Sequence, residues 1–107
     1  MKVKAKITLL CDTETGVSKA TGNPWSCREL VVEIAEDDGK SSSMALKAFK
    51  EEVITTLDNC TKGDVIEAEV RINSQYREYK RVDGTTFVTR YNEAYLHDVK
   101  VISQAGF

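Results

Sequence analysis

The stretch Ser41–Ile72, SSSMALKAFKEEVITTLDNCTKGDVIEAEVRI, carries two hydrophobic periods in one short run. Met44, Leu46 and Ala48 repeat every second residue, the period of a strand with one wet face. Phe49, Val53, Ile54 and Leu57 then recur at spacings of four, one and three, with Lys50, Glu51, Glu52, Thr55 and Asp58 filling the other side. That spacing predicts a short amphipathic helix. Lys62-Gly63-Asp64 reads as a turn, because glycine and aspartate accept backbone conformations that other residues resist. Beyond it Ile66, Ala68, Val70 and Ile72 alternate with Glu67, Glu69, Arg71 and Asn73, which predicts the fourth strand of the chain.

Upstream, Val3, Ala5, Ile7 and Leu9 alternate with Lys2, Lys4, Lys6 and Thr8, predicting a first strand. Asp12 to Pro24 holds Gly16, Gly22, Asn23 and Pro24 and reads as an exposed loop. Trp25 to Ala35 predicts a second strand, with Leu30, Val32 and Ile34 on one face and Trp25, Cys27, Glu29, Val31 and Glu33 on the other. The acidic turn Glu36-Asp37-Asp38-Gly39-Lys40 joins it to Ser41–Ala48. Downstream, the strand after the helix continues through Tyr76–Arg81, turns at Val82-Asp83-Gly84-Thr85, and returns as Phe87–Tyr91, after which Tyr95–Ile102 makes the last strand. Asp-Gly between two β-rich runs is a strong hairpin signal.

Three strands, one helix and two long strands is the chain order of the OB-fold, a five-stranded Greek-key barrel with a helix plugging one end. The expectation is therefore an all-β protein with one short helix between its third and fourth strands. It forms a single domain over residues 1–107 with a short tail at 103–107. An open α+β sheet is the alternative topology.

At 107 residues and 12.0 kDa the chain suffices for one core and excludes a large enzyme. Its 41% hydrophobic and 30% charged residues argue against disorder and coiled coil. Apolar runs stay far below the roughly 20 residues that cross a bilayer. The first residues lack the apolar stretch of a signal peptide, which predicts a cytoplasmic location. Cys11, Cys27 and Cys60 stand 16 and 33 positions apart without a Cys-x-x-Cys pair, a spacing unsuited to zinc. Catalysis is short of parts as well. The sole histidine, His97, sits beside Asp98 in a strand, where neighbours point to opposite faces. Neither a catalytic residue, a metal nor a cofactor is expected.

The formal charge of −2 conceals an asymmetry. Residues 1–70 hold nine Lys/Arg against thirteen Asp/Glu, whereas residues 71–90 hold five (Arg71, Arg77, Lys80, Arg81, Arg90) against two (Glu78, Asp83). The same basic stretch carries Tyr76, Tyr79 and Phe87. Single-strand binders combine cations for phosphates with rings on which bases stack, and those ingredients are interleaved here. Lys19, Arg28, Arg77, Lys80, Arg81 and Arg90 are the candidate phosphate contacts; Trp25, Tyr76, Tyr79 and Phe87 are the candidate stacking rings. Tyr91 and Arg71 add a ring and a cation to the same inventory. Arg77, Tyr79 and Arg81 share one parity and Tyr76, Glu78 and Lys80 the other, and the pattern leaves open which face is inward.

The same residues have a plain structural reading: Trp25 and Phe87 as core, the tyrosines as strand formers, the charged ribbon as protection against edge pairing. The rival function is a protein-interaction module or self-assembling barrel, which the negative net charge favours.

Ser18-Lys19, Gly22-Asn23-Pro24-Trp25 and Arg28-Glu29-Leu30-Val31-Val32-Glu33 resemble the loop and second strand of a family of small bacterial and phage OB-fold proteins similar to single-stranded-DNA-binding proteins. The similarity runs on through Lys62-Gly63-Asp64 and Tyr91, Tyr95, Asp98, Val99 and Val101. It implies single-stranded nucleic acid, DNA first, as the partner, a place in DNA replication or repair, and Lys19, Gly22 and Trp25 as carried-over positions. Such binders commonly assemble so that several barrels share one strand, so a homo-oligomer is an expectation on the same ground. The closing Ser103-Gln104-Ala105-Gly106-Phe107 keeps the terminal phenylalanine common in those proteins and lacks the acidic residues before it.

Overall fold

A computed structural model describes residues 1–105. Its elements are β1 (Lys2–Leu10), β2 (Glu14–Val17), β3 (Pro24–Ala35), β4 (Ser41–Ala48), α1 (Glu51–Asp58), β5 (Val65–Lys80) and β6 (Thr86–Ser103). The strands lie in the order β1-β5-β6-β4-β3-β2, and β1 also pairs with β3, so five of them close into a barrel with β2 as an added edge. Among the described residues only β4 and β6 run parallel, meeting at Lys47 and Tyr95. This is the expected OB-type barrel, with the helix between the third and fourth barrel strands.

Closure depends on β1, which pairs with β5 over Lys2–Lys6 and with β3 over Lys6–Leu10. A register shift between Ile7 and Leu9 bends the strand from one partner to the other, as an extra residue in a ladder does. The shift also corrects the sequence reading: Ala5 and Ile7 are buried, but Leu9 is turned out and Leu10 packs on the core instead. A second shift, opposite Glu69 and Val70, changes the inward parity of β6 from Leu96 to Val99 and Val101, while alternation holds through the core positions of β3, β4 and β5. Leu30 and Val32 from β3, Leu46 and Ala48 from β4, Ile66, Ala68 and Val70 from β5, and Leu96 from β6 meet Val53, Ile54 and Leu57 of α1 inside the barrel.

Helix α1 begins at Glu51, later than its periodicity predicted, with Phe49 outside it and half exposed. Glu51 and Glu52 in the first turn complement the positive end of the helix dipole. Asp58 at the opposite end is unfavourable by the same reasoning, and Arg28 offsets it with an ion pair at 2.5 Å. Asp64, 2% exposed, accepts from the Thr61 and Ala105 amides at 2.9 and 2.7 Å and so ties the end of β6 to the turn entering β5. These bonds favour the ionised carboxylate and hold its pKa below the ordinary value.

The predicted loop Asp12–Pro24 is part strand: Glu14–Val17 pairs with Pro24–Cys27, which leaves Asp12–Thr13 and Ser18–Asn23 as loop, the latter closed by Ser18 N–H donating to Asn23 O at 2.8 Å. The glycine that suggested a break, Gly16, faces Trp25, whose ring occupies the space of a side chain. Strand β6 is continuous through Asn92–Ala94, so the hairpin β5–β6 stays paired from Val65 with Ser103 out to Lys80 with Thr86. Most of its outer half has no second layer. A radius of gyration of 16.7 Å, against about 13 Å for a spherical chain of this length, reflects that projection.

Candidate nucleic-acid interface

The two turns that set the register are the same device. In Glu36–Lys40 the Gly39 N–H donates to Glu36 O, and in Arg81–Thr85 the Gly84 N–H donates to Arg81 O; Asp38 and Asp83 accept from Lys40 N and Thr85 N. Gly84 sits at φ +89°, a conformation that other residues rarely adopt. The Asp-Gly signal therefore locates the tip of the long hairpin and fixes which residues face each other.

Directly opposed residues in the hairpin share a face. Gln75 lies opposite Tyr91, Arg77 opposite Thr89 and Tyr79 opposite Phe87, whereas Tyr76 lies opposite Arg90, Glu78 opposite Val88 and Lys80 opposite Thr86. On the first face Tyr79 and Phe87 stack at 5.1 Å with 19° between planes. The Arg81 guanidinium covers Phe87 at 4.7 Å and that of Arg77 covers Tyr91 at 5.9 Å. These cation–π contacts hold the charges beside the rings without neutralising them.

The same face continues onto the barrel. Glu29 lies opposite Lys47, and Lys47 meets Tyr95, so these side chains lie outside while Leu46 and Leu96 point in. Phe49, just past β4, approaches Tyr95 with ring centroids 5.8 Å apart. Trp25, 43% exposed, lines one shallow depression with Phe49. The result is a single track of rings: Trp25, Phe49, Tyr95, Tyr91, then Tyr79 with Phe87. Lys47, Lys50 and Arg71 surround a cavity of about 200 Å³ floored by Phe49, Tyr95 and Leu96, with His97 on its rim 3.3 Å from the Lys50 ammonium.

Two carboxylates stand among these cations, Glu29 opposite Lys47 and Glu93 in hydrogen-bond contact with it. Glu93 accepts from Lys47 Nζ at 2.5 Å through Oε1 and from the Tyr95 hydroxyl at 2.7 Å through Oε2. The Lys47 hydrogen bond, and after it that of Tyr95, holds the Glu93 pKa below its usual value, while the same bonds push Lys47 and Tyr95 up. Cys27, on the same side of β3, has its thiol raised, first by burial and then by Glu29.

The ten candidate residues thus separate. Trp25, Arg77, Tyr79, Arg81 and Phe87 share the ring-bearing face. Tyr76, Lys80 and Arg90 stand on the opposite face of the hairpin, with Tyr76 69% exposed. Lys19 is exposed in the Ser18–Asn23 loop, apart from the hairpin. Arg28 is placed apart from these: it shares the inward parity of Leu30 and Val32, its side chain is 13% exposed, and it is held by Asp58 and the Cys11 carbonyl. Tyr91 and Arg71, which the sequence reading counted among its rings and cations, complete the track with Tyr95, Phe49, Lys47 and Lys50, to which it assigned no contact. The outward parity of Lys47 beside Leu46 was a usable signal; Phe49 was hidden by its fit to the helical period. Phe107 lies outside the described residues. Among the described residues no three His, Cys, Asp or Glu side chains gather as a metal set.

The fold matches the mitochondrial single-stranded DNA binding protein Rim1 of S. cerevisiae over 98% of this chain and 95% of that one, with a TM-score of 0.63 and 16% identity. A second structure of that protein matches over the same shares at a TM-score of 0.55 and 20% identity. At such identities the likeness is one of fold. Neither a protein-family profile nor a curated sequence matches, so the sequence resemblance to bacterial and phage proteins has no counterpart there. No helix among the described residues is long and apolar enough to cross a membrane.

Proposed function

We propose that this chain binds single-stranded nucleic acid, DNA in the first place, and performs no catalysis. Its binding surface is the outer face of β3, β4 and the β5–β6 hairpin. The carrying observation is the run of Arg81 on Phe87, Tyr79 on Phe87 and Arg77 on Tyr91, where ring faces and permanent charges alternate along one side of a projecting ribbon. Bases stack on such rings for about 1–3 kcal/mol each and guanidinium groups meet the intervening phosphates. The fold likeness to a single-stranded DNA binding protein supports the same reading. Lys19 adds a phosphate contact if the strand passes the β2–β3 loop beside Trp25.

Titration with oligothymidylate, read by the fluorescence of Trp25, tests this. Quenching is expected, with affinity falling as salt rises at a log–log slope near −0.7 per phosphate contact. A flat salt response, or no quenching with this oligonucleotide at low salt, overturns the proposal.

The opposite face of the hairpin supports a second reading as a protein-interaction surface. Ile72, Tyr76 and Val88 are exposed there although they continue the parity of the core. Sedimentation that depends on protein concentration and is lost in Tyr76→Ser would favour it.

A further inference from the structure

The ring track has a negative charge at its centre, and a phosphate cannot sit there without repulsion. Glu93 is three-quarters removed from solvent and held from two sides by Lys47 and Tyr95. Tyr91, Glu93 and Tyr95 are successive outward positions of β6, about 7 Å apart, so the carboxylate lies between one stacking ring and the next. An ionised carboxylate has about four acceptor positions over its two oxygens, and Lys47 and Tyr95 use one on each. Directly across the ladder stands Asn73, exposed and on the same face. Its amide offers a donor beside the carboxylate's remaining acceptors.

That pairing complements one nucleobase. The pairing edge of guanine presents two adjacent donors, N1–H and the N2 amine, followed by the O6 acceptor. Adenine and cytosine each offer one amine beside an acceptor, and thymine one N–H between two acceptors. We infer that Glu93 and Asn73 read a guanine: the carboxylate accepts from N1–H and N2–H while the Asn73 amide donates to O6. The base turns its edge inward at this point and its backbone swings outward, away from the carboxylate. This rests on the single-strand reading above and adds to it a base preference that stacking and phosphate contacts alone would not produce.

The test compares oligothymidylate with the same oligonucleotide carrying a single central guanine, adenine or hypoxanthine. Guanine is expected to tighten binding about fivefold or more, from the discrimination of one bidentate contact. Hypoxanthine, lacking the N2 amine, should lose most of the gain, and adenine should show none. Glu93→Gln should abolish the guanine preference while binding to oligothymidylate is kept or strengthened, because Lys47 is released. Asn73→Ala, at an exposed position, should reduce the preference and serves as the second variant if Glu93→Gln does not fold. Equal affinity for all four oligonucleotides overturns this inference and leaves the single-strand reading standing, as does a guanine preference that survives Glu93→Gln. Failure to bind oligothymidylate at all overturns both.

Discussion

The two halves of the β5–β6 hairpin have the same ladder and different surroundings. From Val65 to Arg71, and across from Ala94 to Ser103, the ribbon is a barrel wall: Ile66, Ala68, Val70 and Leu96 are buried, and their neighbours along each strand are less so. From Ile72 to Lys80, and across from Thr86 to Glu93, the pairing continues without a second layer, and nearly every residue is exposed on both faces. Burial explains every inward residue of the first half. In the second half neither face is covered, so the ordinary reason for placing Tyr79, Phe87 and Tyr91 there is missing. A ribbon that invests its rings in solvent-facing stacks, with guanidinium groups laid over them, is built to meet something.

The difference between the halves can be broken at either end. The largest effect belongs to the wall. Ile66→Ala removes a fully buried side chain and should lower stability by about 2–5 kcal/mol, measured by urea unfolding. The equivalent truncation in the projecting half, Tyr76→Ala, should stay within about 0.5 kcal/mol. A comparable loss at both positions would mean that the outer half is packed after all. A smaller effect separates the faces of the projecting half. Tyr79→Ala should weaken oligothymidylate binding by about 1–3 kcal/mol, one stacked base. Tyr76→Ala, on the opposite face, should leave it unchanged by the same fluorescence titration. Equal losses would show that the strand wraps both sides.

The smallest effect concerns how the wall is tied down. Asp64 has a folded pKa below its unfolded value, so its contribution is fully present above the unfolded carboxylate range and disappears as pH falls through the lower folded value. Melting temperatures taken from neutral pH into acid should therefore fall more for the native chain than for Asp64→Asn. Parallel curves would remove the carboxylate clamp between Thr61 and Ala105.

Local pattern carried the architecture a long way. The switch from period two to helical spacing and back at Ser41–Ile72, and the Asp-Gly turns, are short-range signals that determine strand, helix and hairpin before any packing occurs. Parity also implied that Arg28 points with Leu30 and Val32, although its charge argued for the surface. What the pattern concealed was local in a different way: Phe49 fits a helical period and lies outside the helix, and Gly16 looks like a breaker and instead makes room for an indole ring.

The chain's own order of residues determined which side chains share a face between bulges, because alternation is a property of the extended backbone, whereas the shifts at Leu9 and between Leu96 and Asp98 came from the ladder. Only the closed barrel decided which face is inward, since that depends on which strands meet across sequence separations of dozens of residues. The same closure brought Trp25, Phe49 and Tyr95 alongside the hairpin rings and set Glu93 between Lys47 and Tyr95. No periodicity could have announced that neighbourhood, because its members come from four strands and a connector, and proximity between separate strands is created by folding.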